Sequence, residues 1–212
     1  MLLLLPLLLL AATPTPVIID RPIRFDEERE EAMLEYRRRH QDRAAKDLTI
    51  EPRVIVLHHT AVTPLARAFA TFDRSWLPES RRALAKEGRV NVSAHFLIDR
   101  DGTIYRLMPE TRMARHCIGL NHVAIGVENV GGDAGHPLTR AQAEASAALV
   151  RALVARHPIT HLVGHHEARR MQHHPYFREA SPGYRTAKID PGDAFMAEVR
   201  HKLSDLRLSG PP

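Results

Sequence analysis

The sequence predicts a single α/β domain, a mixed central β-sheet flanked by helices, carrying an N-terminal helical extension. Three observations lead there. Short apolar runs rich in β-branched residues, Val54-Ile55-Val56-Leu57 and Ala124-Ile125-Gly126-Val127, have the length and composition of buried strands. Between two further strand-like runs lies Arg100-Asp101-Gly102, a hairpin signal of the Asp-Gly type. Helical patterns are interleaved with these strands, most clearly after Thr139-Arg140-Ala141-Gln142, whose threonine and glutamine form a capping box. With 212 residues, 44% of them hydrophobic, the chain can hold one domain with a sizeable core plus an appendage.

The elements follow in order. Residues 1–12 form a leucine-rich run too short to span a bilayer, followed by Thr13-Pro14-Thr15-Pro16. This is the pattern of a signal peptide cut near Ala11 or Ala12, and it predicts export to the periplasm or cell envelope. Residues 13–50 read as a linker and a helix: 26–46 places acids early and bases late, which complements a helix dipole. Its sparse apolar residues, Met33, Leu34 and Tyr36, predict a helix lying on the surface of the main domain. The main domain takes residues 51–205. After its first strand come helical stretches around 65–72 and 80–86, then hairpin strands at 95–99 and 103–107, then a strand ending at Glu128. The capped helix puts Ala143, Ala147, Val150 and Val154 on one face and stops at Pro158. A short strand at 160–163 leads to Gly164 and His165, and an irregular stretch follows from 168 to 187. The last helix is expected to begin at Asp190, with Phe195, Val199 and Leu203 recurring every four residues. Residues 206–212 form a tail, expected to be disordered from Ser209.

A net charge of +5 and a pI near 9.8, much of it from arginine, suit a partner bearing carboxylates or phosphates, such as cell wall. No helix-turn-helix, zinc-knuckle or aromatic stacking pattern accompanies the charge, so nucleic acid is not the expected partner. No stable membrane span is expected, and the sequence is silent on oligomeric state. The lone cysteine, Cys117, excludes an intrachain disulfide and a multi-cysteine zinc finger.

The chemistry concentrates in three separated segments, Leu57-His58-His59-Thr60, Gly164-His165-His166-Glu167 and Lys188-Ile189-Asp190-Pro191-Gly192. Two imidazoles and one carboxylate hold a tetrahedral zinc with its fourth position open to water, the mark of a catalytic site. His58 leaves a buried strand, where ligands commonly sit in open sheets, and His59 would point to the opposite face, so one of the pair serves. His165 follows a strand and a glycine that lets the backbone turn tightly. Asp190 can act as helix cap and metal ligand together. A zincin helix is excluded, because position 170 is arginine where that motif needs a second histidine. His173-His174 reads as loop decoration, and Cys117 beside His116 lacks a third group to orient a nucleophile.

The segment from Val54 to Thr60, Val92-Ser93-Ala94-His95-Phe96, Asp99-Arg100-Asp101-Gly102-Thr103-Ile104-Tyr105, Ile125-Gly126-Val127-Glu128-Asn129, Gly164-His165 and Lys188-Ile189-Asp190-Pro191-Gly192 together resemble the type 2 N-acetylmuramoyl-L-alanine amidases, over about residues 51 to 205. The resemblance implies a zinc amidase that cuts the lactyl-amide bond between N-acetylmuramic acid and L-alanine in peptidoglycan or muropeptides. It implies His58, His165 and Asp190 as Zn2+ ligands, Glu128 as the water-activating acid and base, and Lys188 as the oxyanion stabiliser. His116 falls where the family often has a substrate-contacting histidine, and Tyr184, in the stretch before Lys188 that is longer than in compact members, is a further substrate-contact candidate. Some members carry a tyrosine where this chain has Ala94, so that role does not transfer. The alternative is a non-catalytic peptidoglycan-binding module.

Overall fold

The interleaved strands and helices form one six-stranded sheet in the computed structural model, which describes residues 15–212. The leader-like run at 1–12 lies outside the described residues. Across the sheet the order is β1 (Ile18–Asp20), β4 (Ile104–Arg106), β3 (Phe96–Ile98), β5 (Ala124–Asn129), β2 (Val54–His59) and β6 (His161–Gly164). Neighbours are parallel except β3 and β4, which the Asp-Gly turn joins as an antiparallel pair. The sheet is therefore mixed, as predicted. β1 was not foreseen: it is a three-residue edge strand with its last two residues exposed, too short for any periodicity to mark it.

β2 and β5 sit at the centre and are buried on both faces, which explains their unbroken apolar runs. Ile55, Leu57, Ile125 and Val127 face α4 (Arg140–Val154) and α5 (Asp193–Lys202). The Thr139 capping box forms as expected, and Ala143, Ala147, Leu149, Val150 and Leu153 are buried. Each such Val, Leu or Ile contributes about 1.5–3 kcal/mol when fully removed from water. On the other face Val54, Val56, Ala124 and Val163 meet Cys117, Leu120 and Met171, side chains of loops and of a 3-10 segment at His165–His173. Successive side chains alternate across a strand, so His58 and Glu128 belong to this second face, where no long helix lies.

α1 (Glu27–His40) is capped by Asp26, whose Oδ1 accepts the Arg29 amide proton at 3.0 Å. Its buried stripe is Arg29, Met33, Tyr36 and His40, one helical face, half of it polar. Arg29 donates to the carbonyls of Arg24, Phe72 and Val92 at 2.6, 2.9 and 3.3 Å. His40 reaches Glu179 Oε1 at 2.8 Å and the Glu87 carbonyl at 2.7 Å, and the side chains of His40 and Glu179 are fully enclosed. Counting apolar residues alone missed this anchoring. α2 (Leu65–Asp73) and the short α3 (Arg82–Ala85), with a 3-10 turn at Glu79–Arg81, complete the helices.

Three expectations are corrected. α5 begins at Asp193 with Gly192 as its cap, so Asp190 caps nothing and its carboxylate is free for other work. Part of the stretch expected to be irregular, residues 168–173, is 3-10 helix. The tail is placed: Ser209 accepts from the Leu162 amide at 3.0 Å and donates to the Thr160 carbonyl at 2.9 Å, extending the sheet edge beside β6. Among the described residues no helix is long and apolar enough to cross a membrane.

Removing one member of a fully buried charged or polar pair strands the other, at about 3–5 kcal/mol. His40→Ala is therefore expected to lower stability by about that amount in urea unfolding, and His40→Ala/Glu179→Ala to recover part of the loss. A single variant as stable as the parent would show that the pair does not anchor α1.

Candidate active site

The site is built at the C-terminal ends of three adjacent parallel strands, β5, β2 and β6. Pairing of β2 with β5 sets His58 beside Glu128, and pairing of β2 with β6 sets Leu57 beside Gly164, one residue before His165. His165 opens the 3-10 segment, whose turn is held by Glu167. The Glu167 carboxylate accepts the Gly164 amide proton at 2.7 Å and both Arg200 nitrogens at 2.9 and 2.6 Å, which ties the turn to α5. Asp190 arrives from the segment before α5, and the His166 amide donates to its carbonyl at 2.7 Å.

Three ligating atoms converge. His58 Nδ1 lies 2.9 Å from His165 Nδ1, His165 Nδ1 lies 2.9 Å from Asp190 Oδ2, and His58 Nδ1 lies 3.3 Å from the same oxygen. Donors about 2.0–2.1 Å from a tetrahedral ion stand about 3.3 Å apart, so the triangle matches one face of such a site in scale. Among the described residues this is the group of His, Cys and carboxylate side chains suited to hold a metal ion.

The protons on these rings can be assigned by elimination. The Ala124 carbonyl only accepts, so His116 Nε2, 3.3 Å away, carries a proton. Burial, then the nearby His58, holds the His116 pKa well below its ordinary value, so the ring is neutral and its Nδ1 must accept. His58 Nε2, 3.0 Å from that nitrogen, is then the donor, and His58 Nδ1, which faces His165 and Asp190, is the nitrogen left for a metal ion. Burial holds His165 at about 4, against the raising effect of Asp190, so it too is neutral at working pH. Burial alone would push the Asp190 carboxyl up, but His165 and His58 outweigh it and hold it well below the usual carboxylate range. Two imidazole nitrogens and a carboxylate oxygen crowded together form a donor set that a divalent cation would fit.

Gly126 makes this chain of rings possible. A Cβ there would come within 2.6 Å of the His116 ring, so only glycine lets His116 lie against β5 behind His58. The amides of His116 and Cys117 both donate to Asn121 Oδ1, at 2.8 and 2.7 Å, which fixes the loop. Asn121 was not singled out from the sequence because an asparagine in a loop reads as a turn residue. His95, part of a quoted motif, is structural: it accepts from the Gly126 amide at 2.9 Å and donates to the Arg112 carbonyl at 2.8 Å.

One cavity is lined by His58, His165, Asp190, Glu128 and Lys188. Glu128 is only 9% exposed and its Oε2 lacks a hydrogen-bond partner. Burial is the main cause that pushes its pKa up, to about 7, with His58 acting against it. Lys188 is exposed at the cavity rim. His59 also lines this cavity but stands outside the metal triangle, its ring packed on Gly132, while His166 bonds to the Asp190 carbonyl and Asp193. His116 forms part of the cavity wall with both ring nitrogens engaged. Tyr184 lies in an adjoining pocket, its hydroxyl accepting from Arg115 at 3.0 Å, and it does not line the cavity that holds Glu128.

The family model described as N-acetylmuramoyl-L-alanine amidase matches residues 48–193. The endolysin of Escherichia phage T7 is 33% identical over 118 residues, which are 53% of this chain and 74% of the phage protein. Two solved structures share the fold. An N-acetylmuramoyl-L-alanine amidase of Clostridium intestinale aligns over 90% of this chain and 99% of its own, with TM-score 0.57 and 23% identity. A bumblebee peptidoglycan recognition protein aligns over 93% and 99%, with TM-score 0.51 and 18% identity.

Removing Asp190 (Asp190→Ala) should abolish tight binding of one divalent ion per chain. His116→Phe, which keeps all three ligating atoms but frees the far nitrogen of His58, should weaken metal binding about 10–100-fold. Competition against a chromogenic chelator measures both; an unaltered affinity in His116→Phe would remove His116 from orienting His58. The Glu167 carboxyl is pushed up by burial but held below its ordinary value overall by Arg200 and the Gly164 amide. A depressed folded pKa contributes stability that is present above the unfolded value and lost as pH falls through the folded one. Glu167→Gln should therefore destabilise at neutral pH, with the difference from the parent shrinking as pH falls below about 4; a gap that widens with acid would contradict this.

Proposed function

The chain belongs to the N-acetylmuramoyl-L-alanine amidase family, and from that premise we propose that it is a zinc-dependent hydrolase of the amide bond between N-acetylmuramic acid and L-alanine, in peptidoglycan or in soluble muropeptides. The observation that carries the reading is the presence in one cavity of a three-atom metal-binding triangle and an unpartnered buried carboxylate, Glu128. A module that only bound wall would have no use for that carboxylate. Two imidazole nitrogens and one carboxylate oxygen suit zinc among the common divalent ions. We assign His58, His165 and Asp190 as its ligands, and 51–205 as the amidase domain with α1 as an accessory to it. The apolar N-terminal run supports delivery to the periplasm or cell envelope, where the polymer lies.

Bound there, zinc supplies Lewis acidity toward water and toward the scissile carbonyl. The chain's own groups do the remaining work. His116 accepts from His58 Nε2, so that His58 turns its Nδ1 toward the metal position. Glu128, buried and raised toward neutrality, takes the proton of the attacking water and hands it to the departing alanine nitrogen. Lys188, at the rim, brings positive charge to the oxyanion that forms at the carbonyl. The enclosed walls around Glu128 keep bulk water from competing for that proton.

Zinc-loaded protein should release peptides with new L-alanine amino termini from purified muropeptides, and a chelator should stop it. Glu128→Gln should lower kcat about 10²–10⁴-fold with zinc content unchanged. Mass spectrometry of the products decides the matter: intact muropeptides after prolonged incubation would overturn the amidase reading, and a Glu128→Gln protein as fast as the parent would overturn the choice of base.

A further inference from the structure

α1 lies outside residues 48–193, the part matched to the family model, so the amidase pattern assigns no task to it. One of its side chains nonetheless reaches the loop behind the metal ligands. Tyr36 is buried and lines a cavity together with Asn121, His116, His165 and Lys188, the last three of which also line the cavity that holds Glu128. What each group can donate or accept fixes the direction of the hydrogen bonds here. The His116 and Cys117 amides only donate, so Asn121 turns its oxygen to them and its nitrogen away. That nitrogen, Nδ2, stands 3.4 Å from the Tyr36 hydroxyl, which therefore accepts. Arg115 likewise only donates, and its Nη2 reaches the Tyr184 hydroxyl at 3.0 Å. The Tyr36 and Tyr184 hydroxyls lie 3.5 Å apart and close the network.

The same ring holds the residue before His116. Arg115 Cζ sits 4.4 Å from the centre of the Tyr36 ring, and its nitrogens donate to the carbonyls of Leu84, Gly88 and Val90 at 3.0, 2.8 and 2.5 Å. Arg115 is buried, and a desolvated cation over an aromatic face is the setting in which that contact is strongest. Tyr36 thus grips residues 115–117 at two points, its ring against Arg115 and its hydroxyl against Asn121. Packing on its own would be met by phenylalanine, whereas the hydroxyl answers to Asn121. From there the line continues through the His116 backbone to its ring, whose Nδ1 lies 3.0 Å from His58 Nε2. We infer that Tyr36 is a positioning residue of the metal site: through Asn121 and Arg115 it fixes the loop whose His116 aims His58, which makes α1 a working part of the hydrolase. This deepens the amidase reading and rests on its metal ligands. Tyr36 touches none of those ligands and acts only through His116, so its effect on metal should vanish when His116 is gone.

The test is competition for zinc against a chromogenic chelator in the full chain, with Tyr36→Phe, His116→Phe and the double variant. Tyr36→Phe keeps the ring and its stack on Arg115, and should weaken zinc binding about 3–10-fold, the worth of one hydrogen bond. In the His116→Phe background the same change should alter the affinity by less than about twofold. Met33→Ala, which removes packing from the same buried face of α1 but no hydrogen bond, should lower stability and leave zinc affinity like the parent's. In metal-free Tyr36→Phe, hydrogen exchange of the His116 and Cys117 amides should quicken by a similar factor, while β2 and β5 exchange at parent rates. Parent-like zinc affinity in Tyr36→Phe, or an equal loss with and without His116, would overturn the proposal. The predicted pattern of zinc affinities in a protein that cleaves no muropeptide would instead overturn the amidase reading and leave the role of Tyr36 standing.

Discussion

Everything in the site depends on the register of β2 with its two parallel neighbours. One pairing brings His58 level with Glu128 and the other ends one residue short of His165, so three functional side chains reach the same end of the sheet from segments far apart in sequence. A slip of one residue would send His58 to the helix-covered face and put His59 in its place. The slip is opposed by the strands' apolar residues, buried against different partners on each face, and at the strand end by Asn129, whose Nδ2 donates to the His58 carbonyl at 3.1 Å. Packing and chemistry are thus set by one alignment.

The register alone would leave the ligands loose, because His165 and Asp190 lie beyond the strands. Polar tethers locate them. The Glu167 and Arg200 pair fixes the turn at His165 against α5, and the His166 amide and ring hold the backbone of Asp190. On the far side, Ala124, His116 and His58 form a line of hydrogen bonds that leaves His58 Nδ1 facing inward. The line needs the missing side chain at Gly126. Each tether is partly or wholly buried, so each is a place where one substitution strands a polar partner.

Much of this was legible in the sequence, for identifiable reasons. Strands buried on both faces advertise themselves as unbroken β-branched runs, and the capping box at Thr139 is a local signal that tertiary structure had no cause to override. The metal triangle was legible because histidines and an aspartate at strand and segment ends have few structural reasons to be there. Less legible were features whose cause lies far away in sequence. β1 exists only because β4 offers an edge, the tail is ordered only because β6 offers another, and α5 starts late because Asp190 is drawn into the site. The buried face of α1 was half invisible, since Arg29 and His40 look like surface residues until the carbonyls and the carboxylate that receive them are in place.

The central claim is that His58, His165 and Asp190 form an open zinc site, prepared by the fold, beside a buried base. X-ray absorption at the zinc edge of the loaded protein tests it most directly. The account predicts two imidazole nitrogens, one carboxylate oxygen and one exchangeable solvent atom, all about 2.0–2.1 Å from the ion. A sulfur neighbour at about 2.3 Å, implicating Cys117, or a fourth ligand from the protein that closes the site would contradict it.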